Sequence, residues 1–316
     1  IGGQSAGGGS VMSQLTSPQN EGLFQKAIVQ SGVFRNAYPN TFAHRFLSSL
    51  SEAEQEGVKF FEYLGVKSLA EARQLDAVYL RDKAVEYGGF WATVTDGKFV
   101  TGDPFALFMQ NQRQMVPVML GHTTNEFLGI PNVASLDELE KMAADTYGED
   151  ARTFLELVRS ASGDIEEAKK NATVNNIEFA IRILGQANAD TGANAPLYYY
   201  QFDAEIPGWD NPGTFHSVDL WFFFETLAKC WRPFVGKHYD LARHMCNYWA
   251  NFIRTGDPNG QDANGEPMPL WETFTPEASS GLRFADQSES VKFPPSEVMN
   301  FLVQQYFKKN KEAANA

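Results

Sequence analysis

A single pentapeptide near the start of the chain constrains everything after it. Gly3-Gln4-Ser5-Ala6-Gly7 spells G-x-S-x-G. A serine on a sharp strand-to-helix turn is held in a strained backbone conformation. Its neighbours must be small, because side chains there collide with the turn or the elements beside it. Such a turn presents the Ser5 hydroxyl at the N-terminus of the following helix, where free backbone N–H groups, that of Ala6 among them, face any negative charge developing nearby. Gly7, Gly8 and Gly9 run on from the motif and suit a helix packed closely on a sheet. A phosphate-cradling loop is disfavoured, since neither G-K-[ST] at the required spacing nor G-x-G-x-x-G occurs.

Composition narrows the classes of partner. A net charge of −13 argues against nucleic acid and anionic membrane, both of which call for clustered Lys and Arg. The longest apolar run, around Leu220-Trp221-Phe222-Phe223-Phe224, is far short of the ~20 residues of a membrane span. The two cysteines, Cys230 and Cys246, cannot form a disulfide framework and make no C-x-x-C, so zinc and redox roles are not expected, and no metal or cofactor is implied. Both fall in stretches read as helical. Asn171-Ala172-Thr173 has the spelling of a glycosylation sequon, which chance also produces. The compartment stays open.

The 316 residues read as one α/β domain, with helical insertions around 40–90 and 135–190. Helix signals follow Ser5 to Leu15. Ala27-Ile28-Val29-Gln30 is a short buried strand ended by Ser31-Gly32. Strand, helix and strand at this spacing point to a parallel sheet. A helical pattern covers Asn40 to Tyr87, with Ser51/Glu54 and Ser68/Glu71 spelling capping boxes. Asp96-Gly97 is a turn, and Asp103-Pro104 opens a helix. Val116 to Gly121 is a core strand ended by glycine. Ser135 with Glu138 begins a helical stretch, broken at Gly148 and Gly163, that lasts to about Ala189. Leu197 to Phe202 is strongly β-prone. A Gly/Pro/Asn-rich loop from Ile206 to His216 leads to helices over Asp219 to Ala228 and Tyr239 to Arg254, and a last helix begins at Ser296.

A serine nucleophile needs a base for its proton, and the base needs an acid to fix its tautomer. His44, His238 and His244 lie in polar helical stretches that suit ordinary surface or half-buried histidines. His122, just past a strand end, is the weaker candidate base. His216 follows the strand ending at Phe202, on a loop flanked by aromatics, and in a parallel sheet active groups gather on loops beyond the carboxyl ends of strands. Glu126 lies just beyond the strand ending at Gly121 and is the candidate acid. Its competitors are Asp96, which has a turn role, and Asp103, which has a helix-start role. Ser5, Glu126 and His216 are separated by 121 and 90 residues. They follow the Ser, acid, His order of α/β-hydrolases.

Six pieces of the chain, in this order, resemble the type-B carboxylesterases, the group containing cholinesterases and p-nitrobenzyl esterases. They are Gly3 to Gly8, Ala27 to Gly32, Asp96-Gly97, Gly121 to Glu126, Gly213 to Leu220, and Arg254 to Asn259. The resemblance implies the α/β-hydrolase fold and hydrolysis of a small-molecule ester through an acyl-enzyme. It implies Ser5 as nucleophile, Glu126 as acid, His216 as base and the Ala6 N–H as an oxyanion donor. Trp221 and Phe222 are candidate substrate contacts beside a core-packing role for the aromatic cluster that holds them, and Trp91 stands in the variable region. The family also includes catalytically inactive adhesion proteins, and lipases or peptidases share such a triad. Two departures stand out. The family's acid segment usually ends Asp-Glu-Gly, whereas here it reads Asn125-Glu126-Phe127. The Gly-rich loop that supplies the family's other oxyanion donors has no counterpart in these residues. The strand feeding Ser5 would be ending at Ile1, so strands and that loop are expected on a further N-terminal segment of the same protein.

Overall fold

The computed structural model describes residues 1–39, 47–89 and 91–315, with side chains through 312. His44 and the start of the stretch read as helical from Asn40 lie outside the described residues.

Apolar runs too short for helices and rich in Val, Ile, Leu and Tyr form the centre. Six strands make one sheet: β1 (Gly2–Gln4), β2 (Ala27–Gln30), β3 (Val118–Thr123), β4 (Leu197–Phe202), β5 (Ser280–Phe284) and β6 (Ser288–Lys292), side by side in that order. All neighbours are parallel except the β5–β6 pair, which is antiparallel. Along each strand the side chains alternate between two cores. Val29, Leu120, Leu197 and Tyr199 enter one, whereas Ile28, Met119, Tyr198 and Tyr200 enter the other. Because both faces are covered, the central strands are apolar throughout rather than alternating.

The first core is closed by α1 (Ala6–Thr16), α2 (Pro104–Met109), α3 (Asn176–Asp190) and α5 (Glu297–Asn315), and the second by α4 (Gly236–Thr255) together with Trp271. The α1 contact depends on glycine. A Cβ on Gly8 would stand 2.6 Å from the Gly32 Cα, and one on Gly32 would stand 2.3 Å from the Gly8 Cα. The strand feeding Ser5 runs through Gln4, beyond the end expected at Ile1, in register with Ile28, Val29 and Gln30.

Several local expectations shift. The helix Leu50–Leu64 is capped by a reciprocal Ser49/Glu52 box; Ser51 is inside the helix, so the Ser51/Glu54 pairing does not form the cap. The strand expected to end at Gly121 begins two residues later, at Val118, and runs on to Thr123. Gly121 does not end it: a Cβ there would lie 2.0 Å from the Tyr200 ring, so the glycine makes room for a neighbouring strand's side chain. The helical stretch from Ser135 is interrupted by Val174–Asn175, which pairs with Leu128–Gly129, and Asn175 then caps α3. Asp219 to Ala228 divides into a helix over Asp219–Phe223 and a 3-10 turn over Leu227–Lys229, leaving Cys230 outside the helix; Cys246 is in α4. Among the described residues no helix is long and apolar enough to cross a membrane.

Candidate active site

Ser5 occupies the turn between β1 and α1 with φ 56° and ψ −122°, a left-handed conformation that a residue with a Cβ adopts only under constraint. Hydrogen bonds from the Ser5 N–H to the Gln30 carbonyl (2.9 Å) and from the Gly9 N–H to the Ser5 carbonyl (3.0 Å) hold it there. Gly3 is required: its Cβ would fall 2.3 Å from the Gly7 carbonyl oxygen. The expectation of a crowded position at Gly7 is not met, since nothing lies within 4 Å of a Cβ built there. Ser5 does not cap α1 with its side chain. Its hydroxyl is instead turned to His216, with Oγ 2.7 Å from Nε2.

The other imidazole nitrogen, Nδ1, is hydrogen-bonded to Glu126 Oε2. The Glu126 side chain is fully buried, and its second oxygen accepts from Ser31 Oγ at 2.6 Å and from the Thr123 backbone N–H at 2.8 Å. Charged hydrogen bonds of this kind make a buried carboxylate tolerable. The two loops that carry Glu126 and His216 are stitched together. The Asn125 N–H donates to the Thr214 carbonyl, and the Thr214 N–H donates to Asn125 Oδ1 at 3.0 Å. Gly213 has φ +63° and room only for hydrogen beside the Asn125 amide.

The competitors are engaged elsewhere. Asp103 caps α2 and pairs with Arg35, while Asp96 accepts from three successive N–H groups of its turn. His122 does not follow a strand end but sits inside β3, fully buried, with its nitrogens 2.8 Å from the Thr123 carbonyl and 2.8 Å from the Tyr199 hydroxyl. His238 and His244 belong to α4. Phe222 is removed from the candidate substrate contacts: it is fully buried against Phe202 and Phe234 and has no surface to offer. Trp221 is half-buried against Phe215, the neighbour of His216. Trp91 packs on Phe60 in the first insertion.

Some participants were not singled out from sequence. Ser31, read as a strand terminator, donates to the Glu126 carboxylate. Gln4 donates to Ser217 Oγ at 2.9 Å and lies 3.5 Å from His216 Nε2. Asp219, read as the start of a helix, is a second, wholly buried carboxyl; it accepts from the Tyr200 hydroxyl (3.0 Å) and Gln30 Nε2 (3.4 Å), and its Oδ1 has no partner among the described residues. Burial, with the nearby Glu126 charge second, pushes its pKa up to about 6. Of eight non-glycine residues with positive φ among those described, four are Ser5 itself, Ser31, which holds Glu126, and Phe127 and Ser217, which follow Glu126 and His216; Gln4 and Asp219 carry no such mark.

A model of the carboxylesterase family matches residues 1–302. The chain is 28% identical to human cocaine esterase over 87% of its own length and 52% of that protein's. It is 26% identical to human bile salt-activated lipase, over 95% of the chain and 44% of that protein. It thus spans about half the length of the curated relatives it matches. Among solved structures, a PNB esterase superposes with a TM-score of 0.64 at 22% identity, covering 96% of this chain and 62% of that one. A carboxylesterase from Geobacillus stearothermophilus gives 0.61 at 24% identity, over 93% and 61%. These likenesses agree with the parallel sheet in establishing the α/β-hydrolase fold. With its family match running across nearly all its residues, the chain belongs to the carboxylesterase family.

Proposed function

We propose that this protein hydrolyses carboxylic esters through Ser5, His216 and Glu126. The observation that supports this best is the unbroken hydrogen-bond chain from Ser5 Oγ through both imidazole nitrogens to a buried carboxylate. In this reading His216 Nε2 takes the hydroxyl proton as Oγ attacks the ester carbonyl, and Nδ1–H stays hydrogen-bonded to Glu126, which favours the imidazolium. The carbonyl oxygen, now an oxyanion, accepts from the Ala6 N–H at the N-terminus of α1. His216 returns the proton to the departing alcohol. Water, deprotonated by the same nitrogen, then releases the acid from Ser5. The substrate is a small-molecule ester, with Trp221 beside the His216 loop as an apolar contact.

The decisive experiment is turnover of p-nitrophenyl esters by the native protein and by Ser5→Ala. The expected loss is several orders of magnitude, as for other nucleophile deletions. A serine-reactive phosphonate should leave its adduct on Ser5. An adduct on another serine, or undiminished turnover by Ser5→Ala, rules the assignment out, and an inert native protein favours a binding role on the same fold.

A further inference from the structure

We propose that Phe127 is a positioning residue for His216, holding the imidazole in the plane that serves Ser5 and Glu126; this rests on the triad reading above. The two hydrogen bonds of His216 leave from opposite sides of its ring. With the ring also tied to Cβ, what remains is small rocking motions, which tip the nitrogen lone pair out of line with the hydroxyl, and hydrogen bonds weaken as they bend. A contact against the ring itself damps that rocking. The Phe127 ring supplies it, with its centroid 4.7 Å from that of the imidazole at an interplanar angle of 73°. Phe34 backs it edge-on at 5.6 Å.

The backbone argues that the ring is there for a purpose. Phe127 has φ 44°, where glycine sits without penalty and a residue with a Cβ is strained. The turn does not need the ring to hold its shape. The Asn176 N–H donates to the Phe127 carbonyl at 3.1 Å, and Asn175 Nδ2 donates to the Glu126 carbonyl at 2.9 Å. A side chain kept at a strained position, on a turn secured by other groups and against the base, points to a role in the site.

The test uses the native protein with Phe127→Gly and Phe127→Tyr, and p-nitrophenyl acetate, a substrate too small to depend on distant pocket walls. For Phe127→Gly we expect kcat to fall ~10-fold or more, as small misplacements of catalytic groups do. KM should stay within about 2-fold, because ground-state binding is untouched. Phosphonylation of Ser5 should slow by the same factor as kcat, and Phe127→Tyr, which keeps the packing, separates this from a loss of stability. Phe127→Tyr, which keeps the ring, should retain at least about half of kcat, a change under 1 kcal/mol. A raised KM with unchanged kcat would make Phe127 a pocket wall and sink the proposal, as would wild-type kcat in Phe127→Gly. His216→Gln is the control: its inactivity beside a fully active Phe127→Gly removes this proposal and leaves the triad standing, whereas a fully active His216→Gln removes both. Should Phe127→Gly be unstable, Phe127→Ala carries the same measurements.

Discussion

Glu126 shows how much of a site is decided by single side chains. Its carboxylate faces His216 with one oxygen and takes two donors, Ser31 Oγ and the Thr123 N–H, on the other. Removing the serine hydroxyl takes away a charge-assisted bond in a buried place, a loss of about 1.5 kcal/mol or more. If the bond steadies the carboxylate against the developing imidazolium, Ser31→Ala should lower kcat ~10-fold, with KM little changed. Steady-state kinetics checks this, and an unaltered kcat would show that Thr123 suffices alone. The loop positions that bring Glu126 and His216 together were legible from the apolar runs before them. Ser31 was not, because nothing in Gln30-Ser31-Gly32 tells a residue that ends a strand from one that also reaches a carboxylate 95 positions away.

At the scale of elements, the site is set by how closely α1 approaches the end of β2. The Gly8–Gly32 contact brings two backbones together with no space for a methyl group on either, and Ser5 is carried at the α1 N-terminus as a result. Gly8→Ala should therefore be destabilising by ~3 kcal/mol, the upper part of the usual range for overpacking. Gly7→Ala, one residue earlier on an open face, should be neutral or stabilising by up to ~1 kcal/mol, as for glycine replaced within a helix. Urea denaturation of the two variants separates them. Equal effects would mean that the close approach is not what fixes the helix. The glycine run was visible in the sequence, but which glycine is indispensable was not. That depends on the facing backbone at Gly32, and the expectation for Gly7 fails because no element lies opposite it among the described residues.

For the whole molecule, the closing of the fold buries a second carboxyl near Glu126: Asp219 accepts from Tyr200 of β4 and Gln30 of β2. Its pKa of about 6 in the fold, against an ordinary 3.8, has a definite sign. Between those values the folded protein keeps a proton that the unfolded chain releases. This group therefore makes the protein less stable as pH rises from about 4 to about 6, and the deficit is complete above that. Asp219→Asn removes the ionisation while keeping an oxygen to accept from Tyr200. It should raise the melting temperature at pH 8 and do so much less at pH 4.5. Thermal unfolding of both proteins at the two pH values checks it. An equal effect at both would mean that Asp219 is not ionising in this range.

The order of elements, the parallel sheet and the addresses of Ser5, Glu126 and His216 were contained in the sequence itself. Each rests on local physics: an apolar run of strand length, a small-residue turn, polar loops at the ends of strands. The same local physics placed Ser51 as a cap where Ser49 serves, and ended a strand at Gly121 where Tyr200 only needed room. It left Phe222 as a possible contact for substrate, although the core claims it. The partners of the acid, the burial of Asp219 and the ring set against His216 came only from the tertiary structure. Each depends on groups brought together from distant parts of the chain, and the burial that raises a pKa or the facing backbone that forbids a methyl group does not exist until the sheet and its helices have closed on one another.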